Sequence, residues 1–185
     1  MKKSNIKYVI VLLLIGVLYL TFAVGSAEEN VVESTNGTEN NVSSTTTTST
    51  IYNIGDTIQN KKYEITISSV NEAKKVGTTY LSSEPAEGGT YVCVDFSYKN
   101  ISTEPMSSWD FPTIQLVDSN GTKYSADISA TSYYATEKDP NRKVLSDLNP
   151  GITVKDNDVF EISINSYSQG EWFLLIDNKI KVKIK

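Results

Sequence analysis

From residue 51 onward, hydrophobic and polar positions alternate with a period of two. Tyr63, Ile65 and Ile67 alternate with Glu64, Thr66 and Ser68; Val92, Val94, Phe96 and Tyr98 with Cys93, Asp95 and Ser97; Phe160, Ile162 and Ile164 with Glu161, Ser163 and Asn165. Successive side chains of a strand point to opposite faces, so this alternation predicts strands with one buried and one wet face. Further strands are expected at 51–58, 113–117, 122–126, 172–176 and 180–184. Turn-forming residues separate them, among them Asp118-Ser119-Asn120-Gly121, Asn149-Pro150-Gly151 and Asp177-Asn178. No segment carries a convincing helical period, and seven or eight short strands imply an all-β antiparallel sandwich.

Upstream of residue 51 the pattern changes twice. No charged residue lies between Lys7 and Glu28, and this apolar run follows Lys2, Lys3 and Lys7. A membrane span needs roughly 20 apolar residues and a signal-peptide core about 7 to 15, so the run suits either reading. Gly25-Ser26-Ala27 offers small residues for cleavage after Ala27, and the length of the run suits a retained anchor. In both cases the lysines stay cytoplasmic and the remainder faces out, either secreted or held on the cell membrane. Residues 28–50 are rich in Ser, Thr and Asn and bury too little apolar surface to order themselves, which predicts a disordered linker. The expected layout is an export or anchor segment at 1–27, a linker at 28–50 and one sandwich domain at 51–185.

Composition narrows the chemistry. Cys93 is the single cysteine, so no intramolecular disulfide forms and the domain must rely on its core. Cys93 has no cationic neighbour in sequence and is expected to be buried and inert. Net charge is −5; without residues 1–27 there are 14 basic and 22 acidic residues, or −8, which disfavours nucleic acid or an anionic lipid surface as a partner. The absence of histidine removes Ser-His-Asp and Cys-His arrangements and His-containing zinc sites. No motif implies a cofactor.

Candidate sites divide between sparse acids and aromatics. Asp118-Ser119-Asn120-Gly121 holds part of a calcium loop but lacks its terminal acid, and reads as a hairpin turn. Asp156, Asp158 and Glu161 are weak candidates for metal ligands, with Asp156-Asn157-Asp158 expected as an entry turn to a strand. Glu84, Glu87 and Asp95 are the carboxylates a hydrolase would need as paired acid and base; in the loop 77–89, Glu84 and Glu87 read as solvated charges. Tyr133 and Tyr134, with Arg142, lie in the longest stretch without periodicity, 127–147, and are the preferred ligand-contact residues; one tyrosine capping the sandwich end is the alternative. Trp109 and Trp172 are assigned to packing. The lysines alternating with Ile180, Val182 and Ile184 read as protection of an edge strand.

The ordered segments Ile54-Gly55-Asp56-Thr57, Tyr63-Glu64-Ile65-Thr66-Ile67, Tyr91-Val92-Cys93-Val94-Asp95-Phe96, Lys99-Asn100, Asp110-Phe111, Leu116 through Tyr124, Leu148-Asn149-Pro150-Gly151 and Val159-Phe160-Glu161 resemble a family. The chain looks like the small bacterial extracellular immunoglobulin-like sandwich domains of unknown function, similar in fold to secreted immunoprotective antigens. The resemblance spans residues 51–184 and implies an immunoglobulin-like sandwich at the cell surface, with no catalytic residue to carry over. Members are commonly lipoproteins or membrane-anchored, and this chain lacks the lipid-bearing cysteine. The expectation is a non-enzymatic binding module for an extracellular or envelope protein or glycan, touching membrane only through its N-terminal segment. A carboxylate-dependent surface hydrolase using Asp95, Glu161 or Glu84, and a purely structural envelope protein, are the alternatives.

Overall fold

The computed structural model describes residues 50–139 and 147–185; the expected export segment, nearly all of the linker, and Arg142 lie outside the described residues. In chain order the strands are β1 (Ile51–Asn53), β2 (Thr57–Gln59), β3 (Tyr63–Ala73), β4 (Val76–Gly77), β5 (Ser82–Ser83), β6 (Gly89–Asn100), β7 (Ile114–Asp118), β8 (Lys123–Tyr124), β9 (Thr153–Ser163), β10 (Trp172–Ile176) and β11 (Ile180–Lys183). Helix α1 (Ile128–Lys138) precedes β9, the short α2 (Ile164–Tyr167) follows it, and a 3₁₀ turn occupies Ser108–Asp110.

Two sheets form the sandwich. One runs β2-β3-β6-β9, the other β1-β11-β10-β7-β8, and β4 and β5 form a separate ribbon. Ile65, Ile67, Val92, Val94, Phe160 and Ile162 from the first sheet meet Leu116, Trp172, Leu174, Ile176 and Val182 from the second in one core. These are the inward positions that the period-two pattern selects, so the sandwich expected from the sequence is what folds.

The pattern needs correction in three places. Pairing is not wholly antiparallel: β1 lies parallel to β11, which makes β1 the edge and leaves β11 inside its sheet. The lysines of β11 therefore line an outer face rather than guard an edge. Strand β6 is buried on both faces, because Tyr91 and Cys93 on its outer side pack in a second cluster with Val76, Ala130, Tyr134 and Val159. Finally, Asp156 lies well inside β9, paired with Phe96, and not in an entry turn.

The second cluster exists because the stretch 127–147, read as a loop, contains α1. Asp127 caps the helix by accepting from the Ala130 amide at 2.8 Å. The helix also closes the free edge of β9: the Val159 amide donates to Thr131 Oγ1 at 3.0 Å and the Val159 carbonyl accepts from the Asp127 amide at 2.7 Å. An open edge would otherwise expose both groups to pairing with another chain.

Candidate functional site

Strand β3 carries a β-bulge between Ile67 and Ser69. Before it, Tyr63, Ile65 and Ile67 face the core; after it the inward parity shifts to Val70, opposite Val94. The extra residue turns two consecutive serines onto one partner. Ser68 Oγ donates to the Asp95 backbone carbonyl at 2.9 Å, and Ser69 Oγ donates to Asp95 Oδ2 at 2.8 Å. Bulges re-aim side chains in this way and concentrate beside functional sites.

Asp95 sits at the centre of the outer face, between Ser69 on β3 and Asn157 on β9. The C-terminal turn of α1 reaches down to it. Tyr134 Oη donates to Asp95 Oδ2 at 3.2 Å, and Lys138 Nζ pairs with the same oxygen at 3.3 Å while lying 5.0 Å from the Tyr134 ring centroid. Its hydrogen bond to Tyr134 is the main reason the Lys138 ammonium holds its proton above the usual lysine range; Asp95 reinforces it. Burial is what pushes the Tyr134 phenol up. The result is a fixed carboxylate–phenol–ammonium unit where the helix ends.

A cavity of about 390 Å³ opens beside that end. Lys138 and Asp139 border it on the helix side, and Ser68, Asp95, Asp156 and Asn157 on the strand side. Its size falls within the range of small-molecule pockets. Asn157 is 7% exposed, and its Oδ1 is buried without a hydrogen-bond partner. Such a buried acceptor costs about 1–3 kcal/mol, so its retention calls for an explanation.

The residues singled out from the sequence distribute unevenly around this cavity. Tyr134 is buried and forms part of the support for Asp95, whereas Tyr133 turns to the ribbon, its Cβ only 2.9 Å from where a side chain on Gly77 would begin. The pair is therefore not one exposed aromatic contact. Asp156 lines the cavity, while Glu161 lies on the same outer face of β9 as Asn157 but beyond Val159, where it accepts from the Ala86 amide at 2.9 Å. No group of three acidic or thiol ligands gathers at metal-binding distance among the described residues.

The carboxylates of the hydrolase alternative are also dispersed. Glu84 pairs with Lys75 at the surface. Asp95 faces Asn157, four residues along β9 from Glu161, about 13 Å at the ordinary strand rise. Cys93 and Val159, with Ala130 and Tyr134 over them, fill the space between. Asn157, Ser68, Ser69 and Lys138 escaped the sequence reading. The signal for the bulge was present in the switch of apolar parity from Ile67 to Val70.

Cys93 lies beneath α1, and burial pushes its thiol up to about 12. Native protein at pH 8 is expected to resist a disulfide thiol reagent and to react within seconds once unfolded in denaturant. Fast labelling of folded protein would show that α1 does not cover the thiol.

The sandwich with its helix-capped outer face places the chain among known proteins. It belongs to the DUF4352 family, a domain of unknown function, whose model matches residues 52–177. It is 47% identical over 135 residues to the uncharacterized protein YxkC of Bacillus subtilis, covering 72% of this chain and 75% of that one. A crystal structure of a conserved hypothetical protein from Bacillus anthracis superposes with a TM-score of 0.68 at 30% identity, covering 72% of this chain and 95% of that one. A β-sandwich protein from Clostridium difficile shares the fold at a TM-score of 0.52 and 19% identity, over 74% of this chain and 96% of that one.

Proposed function

We propose that the chain is an exported, non-enzymatic binding module: an immunoglobulin-like sandwich facing outward from the cell, secreted or tethered, that holds a small polar ligand from the envelope in the cavity beside Asp95. The observation that carries this reading is the orphaned Asn157 oxygen in the wall of a ligand-sized cavity. A buried acceptor without a partner is a cost in the free protein that a donor on a ligand removes. The fixed Asp95–Lys138 pair supplies a neighbouring acceptor and donor, and the bulge at Ser68 holds the floor in place. Export is supported by the order of basic, apolar and Ser/Thr-rich segments, and the wide separation of Asp95 from Glu161 weighs for binding over hydrolysis.

Asn157→Leu tests this. Leucine has nearly the same volume and removes the unsatisfied oxygen, so the variant is expected to be as stable as the native chain or more stable by about 1 kcal/mol. It is also expected to lose ligand. Native mass spectrometry of the full chain after incubation with the low-molecular-weight fraction of envelope extract should show an adduct on the native protein and none on Asn157→Leu. An adduct of equal strength on both, or marked destabilisation by leucine, would assign the amide a structural role and defeat the reading.

A further inference from the structure

Trp109 is 95% exposed, in a domain where the other tryptophan is 1% exposed. Tryptophan is the largest apolar side chain and is heavily buried on average, so an almost bare one on a fixed turn calls for a contact. The turn is fixed from both sides. Upstream, Met106 is buried and exchanges both backbone hydrogen bonds with Leu148, at 2.9 and 2.8 Å. Downstream, Phe111 packs on the core with its ring 5.3 Å from that of Tyr98. Between these anchors Asp110 pairs with Lys62, and the pair holds the Asp110 carboxyl below its usual range. Trp109 is the one large apolar side chain of the loop that points away from the protein.

Other apolar groups share this end. Ile101 and Ile152 are both exposed; the Ile101 amide donates to the Lys62 carbonyl, and the Ile152 carbonyl accepts from the Asn100 amide. Lys61 is exposed beside Lys62. The charges nearby are engaged: Asp110 by Lys62, and Asp177 by the Tyr63 hydroxyl and by Thr113. The end therefore offers apolar tips, with Asp110 and Asp177 engaged and the exposed Glu104 and Asp147 balancing Lys61.

The chain also enters the domain here. Ile51 pairs with Lys181, next to the β10–β11 turn at Asp177 and Asn178. That turn is bonded to Tyr63, which pairs with Asn100 at the foot of the Ile101 loop. The point where the preceding segment joins and the point where Trp109 projects thus lie at the same end of the sandwich. In a domain tethered through its N-terminus, this is the end at which the tether joins.

Resting on the tethered form of the reading above, we propose that this end lies against the outer surface of the membrane, with Trp109, Ile101 and Ile152 in the headgroup region. Tryptophan favours the membrane–water interface because its ring is apolar and its N–H polar. The contact would hold the cavity beside Asp95, which opens on the outer face of the other sheet, at a set orientation to the lipid.

The test uses the full chain reconstituted through its own N-terminal segment into phosphatidylcholine–phosphatidylglycerol vesicles, separated by flotation. Lipids brominated on their acyl chains quench tryptophan only on contact. The expected result is co-flotation, with brominated lipid removing the part of the emission that Trp109→Phe also removes and leaving the emission of buried Trp172. Co-flotation without quenching would leave the tether standing and overturn the contact. A chain that stays at the bottom of the gradient overturns both, because neither its N-terminal segment nor its Trp109 end then holds lipid. Equal quenching in Trp109→Phe would also overturn the contact.

Discussion

Trp172→Ala is expected to remove about 3–5 kcal/mol of folding stability, whereas Trp109→Ala is expected to change it by less than about 0.5 kcal/mol. The sequence offers both tryptophans as packing residues, and the structure separates them. Trp172 starts β10 on its inward face, with Tyr167 and Tyr124 rings at 5.2 and 5.6 Å and its indole N–H donating to the Gln169 carbonyl at 3.1 Å. Truncation there opens a cavity among aromatic rings that are themselves pinned by α2 and the β7–β8 hairpin. It also strands the Gln169 carbonyl. Domains of this kind are stable by roughly 5–15 kcal/mol, so the variant should be near the edge of folding. Paired denaturant titrations decide the matter. Similar midpoints for the two variants would mean that Trp172 is not the core anchor its burial indicates.

The difference between these tryptophans was legible in part. Trp172, Leu174 and Ile176 continue a period of two, which fixes an inward face, while Ser107-Ser108-Trp109-Asp110-Phe111-Pro112 has no period and offers Phe111 as a competing apolar residue for the same stretch of core. Composition favoured burial of both; local pattern favoured only one. Elsewhere the alternation identified the strands well because each sheet has an inner face that water cannot reach. It failed where two faces are covered. Cys93 sits on the outer face of β6 and is buried only because α1 lies over it, and α1 is hard to read because Ser129, Thr131, Ser132, Tyr133 and Thr136 are poor helix formers. Tertiary packing on Val159 and the Asp127 cap form the helix, and neither is visible locally.

The candidate site was less legible than the fold for the same reason. Asp95 and Asn157 meet only through strand register, and Ser68 reaches Asp95 only because a bulge shifts β3 by one residue. Tyr134 was marked as a contact residue from its charged surroundings, and its actual part is to brace Asp95 from within. A sequence names the side chains that can do chemistry; a pairing register decides which of them share a cavity.

Alkaline pH is expected to unfold the domain through its tyrosines. Tyr63, Tyr91, Tyr134 and Tyr167 are buried, and burial is the leading cause that pushes each phenol above its ordinary value of 10. For Tyr63 the Asp177 carboxylate adds to this, since it accepts the phenol proton and would repel a phenolate. The folded state therefore keeps protons that the unfolded chain releases near pH 10. Each such group contributes stability that is complete below pH 10 and lost as pH rises through its raised folded value, at 1.36 kcal/mol for each unit of difference. Denaturant midpoints should accordingly fall steeply from pH 9.5 to 11.5, about two units at the ordinary tyrosine range, with tyrosinate absorbance appearing together with loss of structure. Tyr63→Phe removes the largest contributor. It should be less stable than the native chain at neutral pH by about 1–2 kcal/mol, because Asp177 loses a donor, yet show a shallower alkaline decline. Tyrosinate absorbance rising at ordinary pH while the fold stays intact would mean that these hydroxyls reach water, and the burial argument would fall with it.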